Sequence, residues 1–146
     1  MEITRFAEAT WTGDLASGAG SINYVSSGAF TRLPVTWASR TEEHNGRTSP
    51  EELIASAHAA CFSMAFSSRL AKNGTPAEKL DVKCVVTFAK GDAGWKIARS
   101  TLTVRGDVPG IDNEKFVALA EDAKENCPVS AALKGNVELV VDAALA

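Results

Sequence analysis

The segment around residues 49–74 constrains the fold more than any other part of the chain. Ser49 is a favourable helix N-cap that fits a capping box with Glu52, and Pro50 suits the first helical position. Asn73-Gly74 is a typical stop signal, so we predict a helix over 50–72. Apolar residues lie on nearly every face of this predicted helix. One face has Leu53, Ala57, Cys61 and Ala65, and other faces have Ile54, Phe62 and Phe66. Such a helix must be enclosed by the rest of the protein or by a partner subunit.

The rest of the chain alternates between strand patterns and helix patterns. Strands are predicted over 3–13, 18–30, 33–40, 80–90, 95–108 (with a bulge midway) and 137–146. A second helix is predicted over 109–126, capped by Asp112 or Asn113, followed by one helical turn over 127–136. Because these elements lack regular βαβ alternation, we predict an α+β fold with a mostly antiparallel sheet, in a single domain over 1–146.

The amino-acid balance excludes several classes of function. The chain has 15 Lys and Arg against 18 Asp and Glu, a net charge of −3, and no basic run, so nucleic acid is not an expected partner. The N-terminus lacks the basic and apolar segments of a signal peptide, and no apolar run approaches the roughly 20 residues that span a bilayer. We therefore expect a cytoplasmic protein that binds no membrane.

Three cysteines, at positions 61, 84 and 127, carry the sulfur chemistry of the chain. An odd number without a CxxC pair argues against a secreted disulfide framework, so any disulfide would be catalytic or a sensor. His58 and Cys61 lie three residues apart on the predicted helix, which is a spacing that could bind metal. No second ligand pair completes a tetrahedral zinc site, so we expect no metal and no cofactor.

Each cysteine has an inert and a reactive interpretation. Cys61 lies in an apolar helix, where a free cysteine is usually a buried core residue. Cys84 follows the alternation of its strand and is predicted to be structural. Cys127 precedes Pro128 and a helical turn, where unpaired N–H groups lower the pKa of a thiol. The alternative for Cys127 is an ordinary turn cysteine.

Arg40, Glu51 and His58 are the other candidate site residues. Taken separately, each has an ordinary explanation. Arg40 closes the predicted strand over 33–40 as a surface charge, and Glu51 is a first-turn partner of the helix dipole. His58 is most often a satisfied helix histidine, although it could tune Cys61 from one turn away.

The motifs SPEELIASAHAACFSMAF, GID and NCPVSAALKGNVEL, in that order, closely resemble the OsmC/Ohr family of thiol-dependent hydroperoxide reductases, and in particular its OsmC branch (osmotically inducible protein C). The resemblance implies an OsmC-like fold in which mostly antiparallel sheets wrap a long buried central helix. It also implies an intertwined homodimer with interfacial sites, and a role in oxidative and osmotic stress defence.

The resemblance implies a role for four residues. Cys61 matches the peroxidatic cysteine, Cys127 the resolving cysteine and Glu51 the family glutamate. Arg40 matches the arginine of the OsmC branch, because the Ohr branch takes its arginine from an earlier loop, which here reads DLASGAG. An external dithiol, of the lipoyl type in the Ohr branch, would reduce the resulting disulfide.

The chemistry of these residue types fits that assignment. A thiolate is the nucleophile, and a guanidinium can stabilise both the thiolate and the departing alkoxide while a carboxylate orients it. An oxidised cysteine becomes a sulfenic acid that a second thiol converts to a disulfide. Apolar neighbours would favour organic hydroperoxides over hydrogen peroxide, and the candidates are Leu53, Phe62, Met64 and Phe66.

The spacing of Glu51 and Cys61 favours a two-fold dimer. Ten residues on a continuous helix span about 15 Å along its axis, so the two side chains cannot share a site within one chain. We expect Arg40 and Glu51 of one subunit to meet Cys61 of the other. The alternative function is a non-catalytic protein that binds a lipid-like ligand, or a thiol redox switch, in the same interfacial pocket.

Overall fold

The computed structural model describes every residue from Met1 to Ala146, in two compact units, Met1–Pro50 and Glu51–Ala146. The chain forms six strands and four helices, and the α+β class predicted from the sequence is confirmed. No helix combines the length and the apolar character that crossing a bilayer requires.

The first unit is a small antiparallel sheet followed by a short helix. Its elements are β1 (Ala7–Thr12), β2 (Ala19–Val25), β3 (Thr31–Val35) and α1 (Trp37–Thr41). β2 lies between β1 and β3, and a register shift between Glu8 and Ala9 interrupts the β1–β2 pairing. The three strands predicted before the long helix are therefore present, although each is shorter than predicted.

The third strand ends at Val35, so the prediction of a strand over 33–40 is wrong in its second half. Thr36 Oγ1 accepts a hydrogen bond from the Ser39 N–H at 3.1 Å, and Ser39 Oγ accepts one from the Thr36 N–H at 3.0 Å. This reciprocal capping box begins α1, because it satisfies two N–H groups that a helix start otherwise leaves unpaired. Arg40 consequently lies in a helix rather than at the end of a strand.

The second unit combines a three-stranded sheet with the longer helices. Its elements are α2 (Pro50–Lys72, whose first residue ends the first unit), β4 (Lys79–Gly91), β5 (Gly94–Asp107), α3 (Asn113–Asn126), α4 (Pro128–Leu133) and β6 (Glu138–Leu145). β5 is the central strand, antiparallel to β4 and parallel to β6. The mostly antiparallel pairing predicted from the sequence is confirmed.

The hairpin of β4 and β5 contains the predicted bulge. Thr87 pairs with Arg99 and Phe88 pairs with Ile97, which leaves Ala98 as an extra residue on β5. Because of this extra residue, the side chains that point to one face of the sheet before Ala98 are out of phase with those that point to it after Ala98. The N-cap of α3 is Asp112, whose carboxylate accepts from the Lys115 N–H at 2.8 Å.

The predicted helix over 50–72 is confirmed, and its deeply buried stripe follows four-residue spacing. The stripe consists of His58, Phe62, Phe66 and Leu70, which are all inaccessible to solvent. The face predicted from Ala57 and Cys61 is less buried than this stripe, and Met64 is 69% exposed. Within a single chain, α2 therefore buries one face, and the apolar side chain of Met64 remains in solvent.

Aromatic packing joins α2 to α3 in the core of the second unit. The Phe66 ring centroid lies 5.5 Å from that of Phe62 and 4.9 Å from that of Phe116. Gly106 of β5 faces the Phe116 ring so closely that a Cβ on it would lie 2.6 Å from ring carbons. Burying three phenylalanine side chains contributes several kcal/mol, on the order of 1.5–3 kcal/mol each, and fixes α2 against its neighbours.

Candidate active site

Cys61 lies on α2, three residues beyond the buried His58, and its side chain packs against the edge of the core. Its sulfur lies beside the Cys127 thiol, against which it packs in the core, and close enough to the backbone N–H of Val129 for both groups to affect its pKa. Burial raises the pKa of the Cys61 thiol, and the contact with Cys127 raises it further, whereas the Val129 N–H acts in the opposite direction. Two free thiols from separate helices therefore meet at one place.

Cys127 occupies the junction of α3 and α4. Its N–H donates to the Ala123 carbonyl at 2.9 Å, which completes α3, and the same residue is the N-cap of α4, with Pro128 at the first helical position. The helical turn predicted after Cys127 is thus present. The side chain is fully buried, and Cys61, Cys84 and Cys127 are all free thiols.

A buried polar cluster lies beside the two thiols. His58 Nδ1 is 2.7 Å from Ser100 Oγ on β5, and His58 Nε2 is 2.8 Å from Ser130 Oγ on α4. All three side chains are almost completely inaccessible to solvent, and burial lowers the pKa of His58 below its ordinary value. The prediction that His58 is a satisfied helix histidine is confirmed.

Cys84 belongs to the same cluster rather than to the thiol pair. Its sulfur lies 3.2 Å from Ser100 Oγ and 3.8 Å from His58 Nδ1. Burial raises the pKa of the Cys84 thiol, although its hydrogen bond with Ser100 acts in the opposite direction. The alternation predicted for its strand is present, since Leu80, Val82, Cys84 and Val86 are partly buried between exposed neighbours.

Arg40 lines an apolar cavity in the first unit, with a volume of about 340 Å³. Its guanidinium carbon lies 5.6 Å from the ring centroid of Trp37, which is within the range of a cation–π contact. The other lining residues are Trp11, Leu15, Val35, Thr36 and Pro50. A single cation at the edge of an apolar cavity can hold an organic group and a developing negative charge together.

Glu51 is buried in the first turn of α2. Because α2 is continuous from Pro50 to Lys72, Glu51 and Cys61 of one chain lie about 15 Å apart along the helix axis. Ten residues at about 100° each also place them on different faces of the helix. The two side chains therefore do not meet within one chain.

The apolar neighbours predicted for Cys61 are partly wrong. Phe62 and Phe66 are fully buried in the aromatic core, so they do not line a pocket, whereas Met64 is mostly exposed and its role stays a prediction. The helix spacing did not distinguish a core face from a pocket face. Sequence reasoning also missed Trp11 and Trp37, because a tryptophan in a short strand or helix carries no local sign that it lines a cavity.

Ser100 and Ser130 were missed for a related reason. A serine in a strand or a short helix is ordinary, and its burial against a histidine depends on contacts between distant segments. No group of three or more His, Cys, Asp and Glu side chains is arranged to hold a metal ion.

Comparison with known proteins agrees with these features. The OsmC-like protein family profile matches residues 43–142. The chain is 40% identical over 139 residues to the peroxiredoxin OsmC of Escherichia coli strain K12, covering 95% of this chain and 96% of that protein. It is 31% identical over 107 residues to the organic hydroperoxide resistance protein OhrA of Bacillus subtilis strain 168, covering 72% and 73% of the two chains.

The architecture is shared as well. The crystal structure of the organic hydroperoxide resistance protein OhrB of Bacillus subtilis superposes with a TM-score of 0.73 at 26% identity, covering 94% of this chain and 97% of that one. The family resemblance predicted from the motifs around Cys61 and Cys127 is confirmed. By its sequence and by its fold, the chain belongs to the OsmC-like protein family, together with the OsmC peroxiredoxins and the organic hydroperoxide resistance proteins.

Proposed function

We propose that this protein is a thiol-dependent peroxidase that reduces organic hydroperoxides to alcohols. The observation that carries the proposal is that Cys61 and Cys127, both free thiols, lie side by side at the edge of the core. Two free thiols held together can pass from dithiol to disulfide without a large rearrangement of the chain. The names of its relatives, a peroxiredoxin and organic hydroperoxide resistance proteins, support the same chemistry.

The proposed reaction has three balanced steps. The Cys61 thiolate attacks the terminal oxygen of ROOH, the O–O bond breaks, and the alkoxide takes a proton and leaves as ROH, so that Cys61 becomes a sulfenic acid. The Cys127 thiol then attacks the Cys61 sulfur, which forms the disulfide and releases water. An external dithiol reduces this disulfide by exchange and becomes a disulfide itself.

A cation is needed to make Cys61 a nucleophile at neutral pH. Burial and the neighbouring thiol raise the pKa of Cys61. With only the groups of its own unit around it, the Cys61 side chain is therefore mostly a protonated thiol at neutral pH. We assign the stabilising charge to Arg40, oriented by Glu51, from the partner subunit of a homodimer. The distance between Glu51 and Cys61 along α2 and the exposure of Met64 on that helix support a dimer.

The cavity beside Arg40 is proposed to hold the organic group of the hydroperoxide. Its volume of about 340 Å³ is at the lower end of the range of small-molecule sites. Hydrogen peroxide has no apolar part to contact Trp11 or Trp37, so it would gain nothing from this cavity. The preference for organic hydroperoxides then follows from the desolvation of the organic group.

A second candidate function rests on the same cavity. An apolar cavity with one cation would also suit a lipid-like carboxylate, so the protein could bind such a ligand without catalysis, or act as a thiol switch. In that case the cysteine pair would not turn over.

The deciding experiment combines mass spectrometry with a turnover assay. One equivalent of cumene hydroperoxide should convert the reduced protein to a Cys61–Cys127 disulfide within seconds. Dithiothreitol or dihydrolipoamide should then support many turnovers, with faster consumption of cumene and tert-butyl hydroperoxides than of hydrogen peroxide. A Cys61 that stays reduced would reject the peroxidase in favour of the binding protein, and a disulfide formed once without turnover would support the switch.

A further inference from the structure

The His58 imidazole connects three elements of the second unit through two short hydrogen bonds. His58 is on α2, Ser100 on β5 and Ser130 on α4, and the two N···O distances are 2.7 and 2.8 Å. A neutral imidazole donates from one ring nitrogen and accepts at the other, and a serine hydroxyl can match either role. Both ring nitrogens are thus satisfied, in a place that water does not reach.

The two hydrogen bonds of His58 differ in their position relative to the thiols of Cys61 and Cys127. His58 precedes Cys61 by one helical turn on α2, while Ser130 follows Cys127 by three residues and Val129 by one. The His58–Ser130 bond therefore joins the two helices beside the place where Cys61 packs next to Cys127 and close to Val129. The His58–Ser100 bond instead joins α2 to β5, which carries neither Cys127 nor Val129.

We propose that His58 and Ser130 are positioning residues that hold the first turn of α4 against α2, so that the Cys127 thiol faces the Cys61 sulfur. α4 has only six residues, and a single cap residue, Cys127, separates it from α3. A helix this short has few internal hydrogen bonds, so its placement depends on tertiary contacts. A short hydrogen bond between buried groups is a strong contact of this kind, because neither group can be satisfied by water if the bond breaks.

The inference deepens the proposed function, because it concerns the step in which Cys127 resolves the sulfenic acid. That step forms the S–S bond, breaks the S–O bond of the Cys61 sulfenic acid and releases water. Its rate depends on the fraction of molecules in which the two sulfurs face each other. When Cys127 is displaced, the sulfenic acid persists, and a second hydroperoxide oxidises it to the sulfinic acid.

Ser130→Ala is the test variant, and Ser100→Ala is its matched control. Each variant removes one buried hydroxyl from one nitrogen of the same imidazole, but only Ser130 is on the helix that follows Cys127. Ser130→Thr, which keeps a hydroxyl, is the rescue variant. Thermal unfolding of all three shows the loss of stability that each substitution causes, separately from its effect on the thiols.

The first measurement does not depend on peroxidase activity. The protein is equilibrated with glutathione and glutathione disulfide, so that the protein dithiol and glutathione disulfide exchange with the protein disulfide and two glutathiones. The equilibrium constant measures the effective concentration of Cys127 at Cys61. We expect Ser130→Ala to lower it about fivefold or more, as the loss of one buried hydrogen bond would, and Ser100→Ala to leave it within about twofold. Equal values for the two variants would overturn the inference.

The second measurement follows the products of excess cumene hydroperoxide by mass spectrometry. The ratio of Cys61 sulfinic acid to Cys61–Cys127 disulfide should rise about fivefold in Ser130→Ala, and return towards the wild-type value in Ser130→Thr. An unchanged ratio in Ser130→Ala rejects the positioning role while leaving the peroxidase intact. If Cys61 of the wild-type protein resists oxidation by hydroperoxide, the proposed function fails, and the glutathione equilibrium alone then decides whether Ser130 positions Cys127.

Discussion

Cys61 lies beside Cys127, although one is in the middle of a 23-residue helix and the other is the N-cap of a six-residue helix. This arrangement brings a second free thiol beside the one on the apolar helix. The thiol of Cys61 is at the edge of the core, where a second thiol can reach it, while its neighbour Phe62 fills the core itself.

Replacing each cysteine by serine should separate the steps of the reaction. Cys61→Ser should abolish hydroperoxide consumption, because a hydroxyl is not an effective nucleophile towards the O–O bond. Cys127→Ser should consume about one equivalent and then stop with dithiol reductants, because the sulfenic acid has no resolving thiol. Both are measured by a ferrous-oxidation assay of residual hydroperoxide.

Cys84→Ser is the control for those variants. Cys84 is half-buried and bonded to Ser100, apart from the thiol pair, so its removal should leave turnover within about twofold of wild type. Turnover by Cys61→Ser, or its loss in Cys84→Ser, would contradict the assignment of Cys61 as the nucleophile.

Mixing two inactive variants should restore activity if the sites are shared between subunits. Arg40→Ala should lower kcat/KM at least about a hundredfold, the size expected for removing one group that stabilises transition-state charge. In a hybrid dimer of Arg40→Ala with Cys61→Ser, one site has both mutations and the other has neither. Random reassociation makes half of the dimers hybrids, so about a quarter of wild-type activity should return.

A second mixture is the control for subunit exchange. Cys61→Ser and Cys127→Ser affect two residues that meet within one chain, so their hybrids should regain no turnover. Arg47→Ala, which removes an exposed arginine of the first unit, should remain active. No recovery in the first mixture, with native mass spectrometry showing that hybrids had formed, would place Arg40 and Cys61 in the same subunit or remove Arg40 from the site.

Trp37→Ala should reduce the preference for organic hydroperoxides. Trp37 lines the apolar cavity and contacts the Arg40 guanidinium, so its loss removes apolar surface from the proposed site. We expect kcat/KM for cumene hydroperoxide to fall about tenfold more than kcat/KM for hydrogen peroxide, which is the effect of losing roughly 1.4 kcal/mol of apolar contact. Trp95→Ala, in the second unit and outside the cavity, is the matched control. An equal loss for both peroxides would mean that Trp37 only positions Arg40.

The stability of the protein should depend on pH through His58. Burial lowers the pKa of His58 below its ordinary 6.5, so below that pH the unfolded chain binds a proton that the folded protein does not. The free energy of unfolding should therefore fall as the pH drops from 7.5 to 5, with a contribution from this residue that approaches about 1.4 kcal/mol per pH unit. Urea unfolding at several pH values measures the slope.

His58→Gln should be less stable at every pH, because it loses the fit to Ser100 and Ser130, but its stability should decline less steeply as the pH falls. His44→Gln, which changes an exposed histidine, is the control and should keep the wild-type slope. If His58→Gln has the same slope as wild type, His58 is protonated in the folded protein as readily as in the unfolded chain.

Local signals in the sequence were sufficient where the structure itself is local. The proline and acidic residues at its start and the Asn-Gly at its end located α2 to within a residue, and the alternation around Cys84 identified β4. At α1, the capping box of Thr36 and Ser39 outweighs the apolar alternation that predicts a strand. The strand predicted over 33–40 is therefore wrong after Val35, because Ser39 stands where the usual capping-box sequence has Glu or Gln.

By itself, the sequence determined α2, α3 and α4, the bulge in β5 and the family, because periodicity, caps and the motifs around Cys61 and Cys127 are properties of adjacent residues. Only the tertiary structure decided that Phe62 and Phe66 fill the core, that Cys127 meets Cys61, and that two serines hold His58. Each of these depends on which segments pack together. A helix that is apolar on several faces does not specify in its own sequence which face the neighbouring elements will bury.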